Sequence, residues 1–145
     1  MPSIKYPFPK FLNDICTEKK YLRWLSAKSQ AHVCRDKRRG SNYSINEHYK
    51  VAIHQAVLLS KGFDFYTGKK LDWHLIGTYD NTKSKKGKRR YKYEFQNLPT
   101  VDHVNDVNGK LEFRICSWKV NDAKSDMTLK EFVDLCKNVV KHNSK

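Results

Sequence analysis

The sequence predicts an α+β fold of one domain, in which N-terminal helices pack with a C-terminal β-hairpin that leads into a helix. Three observations carry this. Apolar residues recur at helical spacing between residues 17 and 61, two alternating runs flank an Asn-Gly dipeptide near residue 108, and Ser/Thr-x-x-Glu patterns precede two apolar runs. The predicted parts are a helical scaffold over 1–62, a turn and basic loop over 63–97, a hairpin-helix motif over 98–126 and a last helix over 127–145.

Taking the elements in order, Tyr21, Leu22, Leu25, Ser29, His32 and Val33 mark one face of a helix from Thr17 to about Arg35. Its outer face is basic, and the Arg35–Arg39 run meets Gly40, a helix stop. Ser44 to Glu47 forms a capping box in which the hydroxyl and the carboxylate each take a backbone amide of the other residue. A second helix follows to about Lys61 with Ile45, Tyr49, Ile53, Ala56 and Val57 on one face, and Gly62 ends it. Phe63–Gly68 breaks the periodicity. Thr67-Gly68 predicts a turn between Tyr66 and the alternation Leu71, Trp73, Leu75, giving a short hairpin or a knuckle.

The segment Lys83–Lys92 holds seven basic residues and no acidic one. Like charges repel and cannot pack, which predicts an exposed loop or hairpin tip. Leu98–Val104 is strand-like, Asn108-Gly109 suits a tight turn, and Leu111–Cys116 alternates again. Ser117–Lys124 then predicts a short helix, and the capping box Thr128–Glu131 opens a longer one with Leu129, Phe132, Val133, Cys136, Val139 and Val140 turned inward.

Composition narrows the function classes. The chain has 145 residues, with 29 Lys and Arg against 15 Asp and Glu, a formal net charge of +14. Such a surface attracts polyanions, because every phosphate that a Lys or Arg neutralises releases condensed counterions. Double-stranded DNA is the expected partner. Lys83, Lys85, Lys86, Lys88, Arg89 and Arg90 are candidate phosphate contacts, the alternative being a solvated loop that aids solubility. No run approaches the roughly 20 apolar residues of a bilayer span, and the N-terminal residues carry no signal-peptide stretch, so a soluble, cytoplasmic protein with no membrane partner is expected. Cys16, Cys34, Cys116 and Cys136 lie far apart without zinc-ligand spacing, and read as reduced structural thiols.

The chemistry concentrates between residues 101 and 124. Asp102-His103 lies near the end of the first predicted strand, and Asn121 follows on the short helix after the hairpin. Successive strand residues point to opposite faces, so a site that uses both Asp102 and His103 has to sit where the strand ends or bulges. The Asp102 carboxylate and the Asn121 amide oxygen suit one hard cation, Mg²⁺ or Mn²⁺, that keeps several waters. A neutral His103 then has the chemistry to deprotonate water in line with a metal-bound phosphate, and Arg114 has the planar fork to clamp that phosphate. Arg114 also has a plainer use as a surface ion-pair partner of Glu112 or Glu131.

With Asp102-His103 at the end of one strand and Val120-Asn121-Asp122-Ala123-Lys124 after the hairpin, residues 98–126 resemble the HNH, or ββα-metal, nuclease family. Tyr66-Thr67-Gly68 is similar to the turn that precedes the motif in many members. The resemblance implies a metal-dependent endonuclease that hydrolyses DNA phosphodiesters, with Asp102 and Asn121 as metal ligands, His103 as general base, and Lys124 supporting the helix or a phosphate. The family's middle Asn would fall near Glu112, which accepts hydrogen bonds but does not donate as an amide does. Many members carry structural zinc on two Cys pairs; here Ser117 and Val120 stand at one pair, which implies no structural zinc and apolar packing around Phe65, Tyr66 and Trp118 instead. Two rival classes are a DNA-binding module with the same hairpin but no turnover, and an RNA-binding protein. A single site per chain implies nicking by a monomer, or double-strand cleavage by a two-fold homodimer.

Overall fold

The computed structural model describes residues 5–40, 45–104 and 111–144. Helix α1, Glu18–Arg38, starts where Thr17 accepts a hydrogen bond from the Lys20 amide at 3.1 Å, and it buries Tyr21, Trp24, Leu25, Ser29, His32 and Val33. These positions repeat every three or four residues, so one stripe of the helix enters the core. Helix α2, Asn46–Ser60, has Ile45 as its N-cap, with no side-chain cap bond. The expected cap Ser44 lies outside the described residues. Asn46 instead accepts from the Ser29 hydroxyl at 2.7 Å, which ties the start of α2 to α1. Lys61 (φ +53) and Gly62 (φ +97) end α2, and a Cβ on Gly62 would sit 3.1 Å from the Phe11 ring, so the position needs glycine twice over.

The knuckle after α2 is held by Asp64, which is 3% exposed. One of its oxygens accepts from the amides of Tyr66 (2.7 Å) and Thr67 (3.3 Å), the other from the amide of Ser117 (3.0 Å). Phe63 bridges to Lys70, and Phe65 donates its amide to the carbonyl of Ile115. The alternation through Leu71, Trp73 and Leu75 is not a strand: Trp73–Leu75 is a 3₁₀ turn. Trp73 is buried there because its indole donates to the Gly62 carbonyl and its ring meets Trp24 and Phe11 edge-on at 5.3 and 5.4 Å.

The basic run is a helix, not a loop. Helix α3 spans Asn81–Glu94 with a break at Lys88 (φ +49, ψ −129). Asp80 caps it by accepting from Thr82 and Lys83, and Tyr91 and Phe95 anchor its far end against Tyr79, which also meets Trp118. Apolar anchors on one side let the charges fan into solvent on the other. Lys83, Lys85, Lys86, Lys88, Arg89 and Arg90 are all exposed, as expected of the run. A Cβ on Gly87 would fall 2.7 Å from the Tyr91 Cβ, which explains a glycine inside this helix.

Strands β1, Pro99–Val104, and β2, Glu112–Ser117, pair antiparallel with Asp102 opposite Arg114 and His103 opposite Phe113. The predicted Asn108-Gly109 turn lies outside the described residues. Ser117 caps α4, Trp118–Lys124, by accepting from the Val120 amide. The hairpin lies on α2, with Val101, Phe113 and Ile115 joining a core that includes Leu25, Tyr49, Ile53 and Trp73. The fold is therefore α+β: among the described residues, five α-helices and one two-stranded sheet. No described helix is long and apolar enough to cross a membrane.

Helix α5, Leu129–Asn143, begins with the expected Thr128 cap, yet none of its residues is buried. Its apolar stripe, expected to face inward, borders a groove of about 550 Å³ whose other wall is Tyr66, Thr67 and Val120. Amphipathic spacing reports that one face is apolar, and says nothing of how closely the body covers it. The cysteines are free thiols; Cys116 is buried, but Cys34 and Cys136 are exposed and have no packing role of the kind expected.

His32 is 4% exposed, and its Nδ1 has no hydrogen-bond partner among the described residues. Burial, with added repulsion from Arg35, His103 and Lys28, pulls its pKa from 6.5 down to about 4. The unfolded chain therefore binds a proton that the folded chain refuses. Stability from this residue is complete above pH 6.5 and falls as the pH drops toward 4, by roughly 3 kcal/mol across that window. Urea unfolding at pH 7 and pH 4.5 is expected to show this loss, and His32→Gln to reduce it.

Candidate active site

Pairing between β1 and β2 runs on to Val104 and Glu112, so Asp102 and His103 point to opposite sides of the ribbon. Asp102 faces the knuckle and α4; His103 faces α1 and α2. Both nevertheless line one cavity of about 510 Å³, since His103 stands one residue from the end of the strand. Arg114, Asn121 and Lys124 line the same cavity.

Asp102 is 6% exposed and well partnered. Its Oδ2 accepts from the Tyr66 hydroxyl and lies 3.1 Å from Lys124 Nζ. The side chains of this ion pair are only 7% and 8% exposed, so Lys124 belongs to the wall of the site and not to the outer surface. Tyr66 is placed by Asp64 through its backbone amide. Burial and the Asp102 contact push its phenol pKa up, with Arg114 opposing. Arg114 lies opposite Asp102 across the hairpin, with its guanidinium 4.3 Å from the centre of the Phe65 ring. Its contact with Glu112 is 3.8 Å, the ion pair that the plainer reading of Arg114 anticipates, and Glu112 is largely exposed.

His103 has a different environment. It stacks on Phe113 at 4.7 Å between ring centres, and meets His32 edge-on. Its Nδ1 lies 3.4 Å from Asp36 Oδ1, and the other Asp36 oxygen accepts from the Tyr49 hydroxyl at 2.5 Å. Arg35 and Arg39, on the last turn of α1 and just beyond it, line the cavity as well. None of Asp36, Tyr49, Arg35 or Arg39 stands out in the sequence as a site residue. The Arg35–Arg39 run is legible only as a basic helix end, and no local pattern ties α1 to the hairpin.

Six basic residues, Lys83, Lys85, Lys86, Lys88, Arg89 and Arg90, do not line the cavity; they project from α3. Among the described residues there is no group of three or more His, Cys, Asp or Glu that could hold a metal ion. The oxygen donors on the cavity wall include the carboxylates of Asp102, Asp122 and Asp126 and the Asn121 amide. Oxygen donors of this kind suit a hard ion that retains most of its water, as Mg²⁺ does. An ion at Asp102 has to share the carboxylate with the ammonium of Lys124.

No family model, curated protein or solved structure matches this chain.

Proposed function

We propose that this protein is a metal-dependent endonuclease of the HNH, or ββα-metal, type that hydrolyses DNA phosphodiester bonds. The observation that carries the reading is the meeting of Asp102, His103, Arg114, Asn121 and Lys124, from two strands and a helix, around one open cavity. A carboxylate, an amide oxygen, an imidazole and two cations are the groups that phosphodiester hydrolysis uses. The sequence order of Asp-His, hairpin and Asn-x-x-Lys helix adds to it.

In this mechanism His103 takes a proton from a water molecule whose oxygen attacks phosphorus, while the bond to the 3′ oxygen breaks. Arg114 binds the non-bridging oxygens of the scissile phosphate, with Phe65 beneath the guanidinium to restrict it to one plane. Arg35 and Arg39 hold the neighbouring phosphates from the α1 side. Asp102 and Asn121 are the residues that would hold a Mg²⁺ or Mn²⁺ ion, which supplies charge neutralisation at the phosphate and the departing oxygen. Tyr66 and Lys124 keep the Asp102 carboxylate turned into the cavity.

One observation favours a second reading, a DNA-binding module without turnover. Lys124 already gives Asp102 a cation at 3.1 Å, and Tyr66 bonds to the same oxygen. Plasmid nicking separates the two. Supercoiled DNA is expected to relax with Mg²⁺ or Mn²⁺ and to remain intact in EDTA. A protein that shifts DNA on a gel but cuts none under any metal condition is the binding module.

Helix α3 is the proposed outer contact with the DNA backbone. Neutralising Lys85, Lys86, Arg89 and Arg90 together is expected to flatten the dependence of log K on log salt by about 0.9 for every phosphate that is no longer neutralised. A slope equal to that of the parent protein would return α3 to a merely solvated helix.

A further inference from the structure

We infer that Asp36, on α1, is the positioning residue that orients His103 and fixes which of its ring nitrogens carries the proton. The inference rests on the nuclease reading for its functional meaning, but its geometry stands apart from it. Asp36 Oδ1 is 3.4 Å from His103 Nδ1, and Asp36 Oδ2 accepts from the Tyr49 hydroxyl at 2.5 Å. The Asp36 and His103 side chains are 12% and 18% exposed, so solvent does little to compete.

An ionised carboxylate only accepts hydrogen bonds. Facing Nδ1, it selects the tautomer with hydrogen on Nδ1 and leaves the lone pair on Nε2, the nitrogen then able to take a proton from water. Tyr49 occupies the second oxygen and stops the carboxylate from rotating. Phe113, stacked at 4.7 Å and 30°, and His32, edge-on at 6.0 Å, hold the ring plane. The tautomer is therefore set from outside the hairpin, and the ring plane from both sides of it.

The residue near which the family resemblance puts this role, Glu112, cannot perform it. It lies two residues from Arg114, on the same side of β2, and contacts that guanidinium on the face away from His103. A carboxylate from the N-terminal helix thus supplies what Glu112 does not. The relation is that of a base oriented by a third group, assembled here across two parts of the chain.

The test uses the full chain, labelled with ¹⁵N and without added metal. Long-range proton–nitrogen correlation spectra report the tautomer of each neutral histidine, and the His103 signals are those that vanish in His103→Gln. The parent protein is expected to carry the His103 proton on Nδ1, and Asp36→Ala to move it largely to Nε2. Asp36→Asn, which keeps the shape, is expected to move the tautomer the same way and serves if the alanine variant does not fold. In nicking assays Asp36→Ala is expected to lower kcat by about 10²-fold with KM within about twofold, the size seen for groups that orient a reactive residue. Asp36→Glu should recover part of the rate.

A parent protein with the proton on Nε2, or a tautomer that neither variant changes, overturns the assignment. An unchanged kcat in both folded variants overturns the positioning role while leaving the nuclease intact. If the parent protein cuts no DNA, the nuclease reading fails, and the spectra still decide the Asp36 pairing.

Discussion

His103→Ala is expected to lower plasmid nicking by about 10³-fold, within the range that a positioned general base contributes, while leaving DNA retention on a gel nearly unchanged. The two effects separate because the proposed phosphate contacts lie elsewhere: Arg35 and Arg39 at the end of α1, Arg114 on β2, and the basic face of α3. The imidazole is partly exposed at the cavity rim, and its partner Asp36 keeps the hydrogen bond from the Tyr49 hydroxyl when the ring is removed. A variant that keeps most of its rate would remove His103 from the base role, and one that fails to bind DNA as well would make it a structural residue.

The second large effect concerns the ion pair of Asp102 and Lys124. Asp102→Ala leaves the Lys124 ammonium buried without its counter-ion, and breaking a buried pair from one side costs about 3 to 5 kcal/mol. Urea unfolding is expected to show a loss of that size. Replacing both, Asp102→Leu with Lys124→Met, removes both charges together and should recover most of it. The milder Asp102→Asn keeps the shape, and calorimetric titration is expected to show weaker Mn²⁺ binding. Unchanged affinity there would take Asp102 out of the ligand set, and a double variant no more stable than Asp102→Ala would mean that the pair is not what makes the single change costly.

Local chemistry makes much of the architecture readable. Thr17, Ser117 and Thr128 cap their helices because a hydroxyl beside an exposed amide needs no tertiary information, and Gly62 ends α2 for an equally local reason. The paired strands Pro99–Val104 and Glu112–Ser117 are legible from their own alternation. Where the outcome depends on a distant partner, the sequence misleads. The run over 83–92 looks like a loop until Tyr79, itself backed by Trp118, gives Tyr91 and Phe95 something to pack on. The stripe of α5 is visible as a pattern, but its distance from the body is not. In the candidate site, Asp102, His103, Arg114, Asn121 and Lys124 follow from their order along the chain; Asp36, Tyr49 and the Tyr66 hydroxyl reach them only through folding.

Asp64 has a consequence for how this chain can be altered. A single buried carboxylate clasps the knuckle to the junction of β2 and α4, joining the segment that presents Tyr66 to the one that leads to Asn121 and Lys124. The hairpin and its following helix are thus not a portable cassette: excised and grafted onto another scaffold, they would leave behind the clasp, the tyrosine and the α1 carboxylate, and with them half of the pocket's walls.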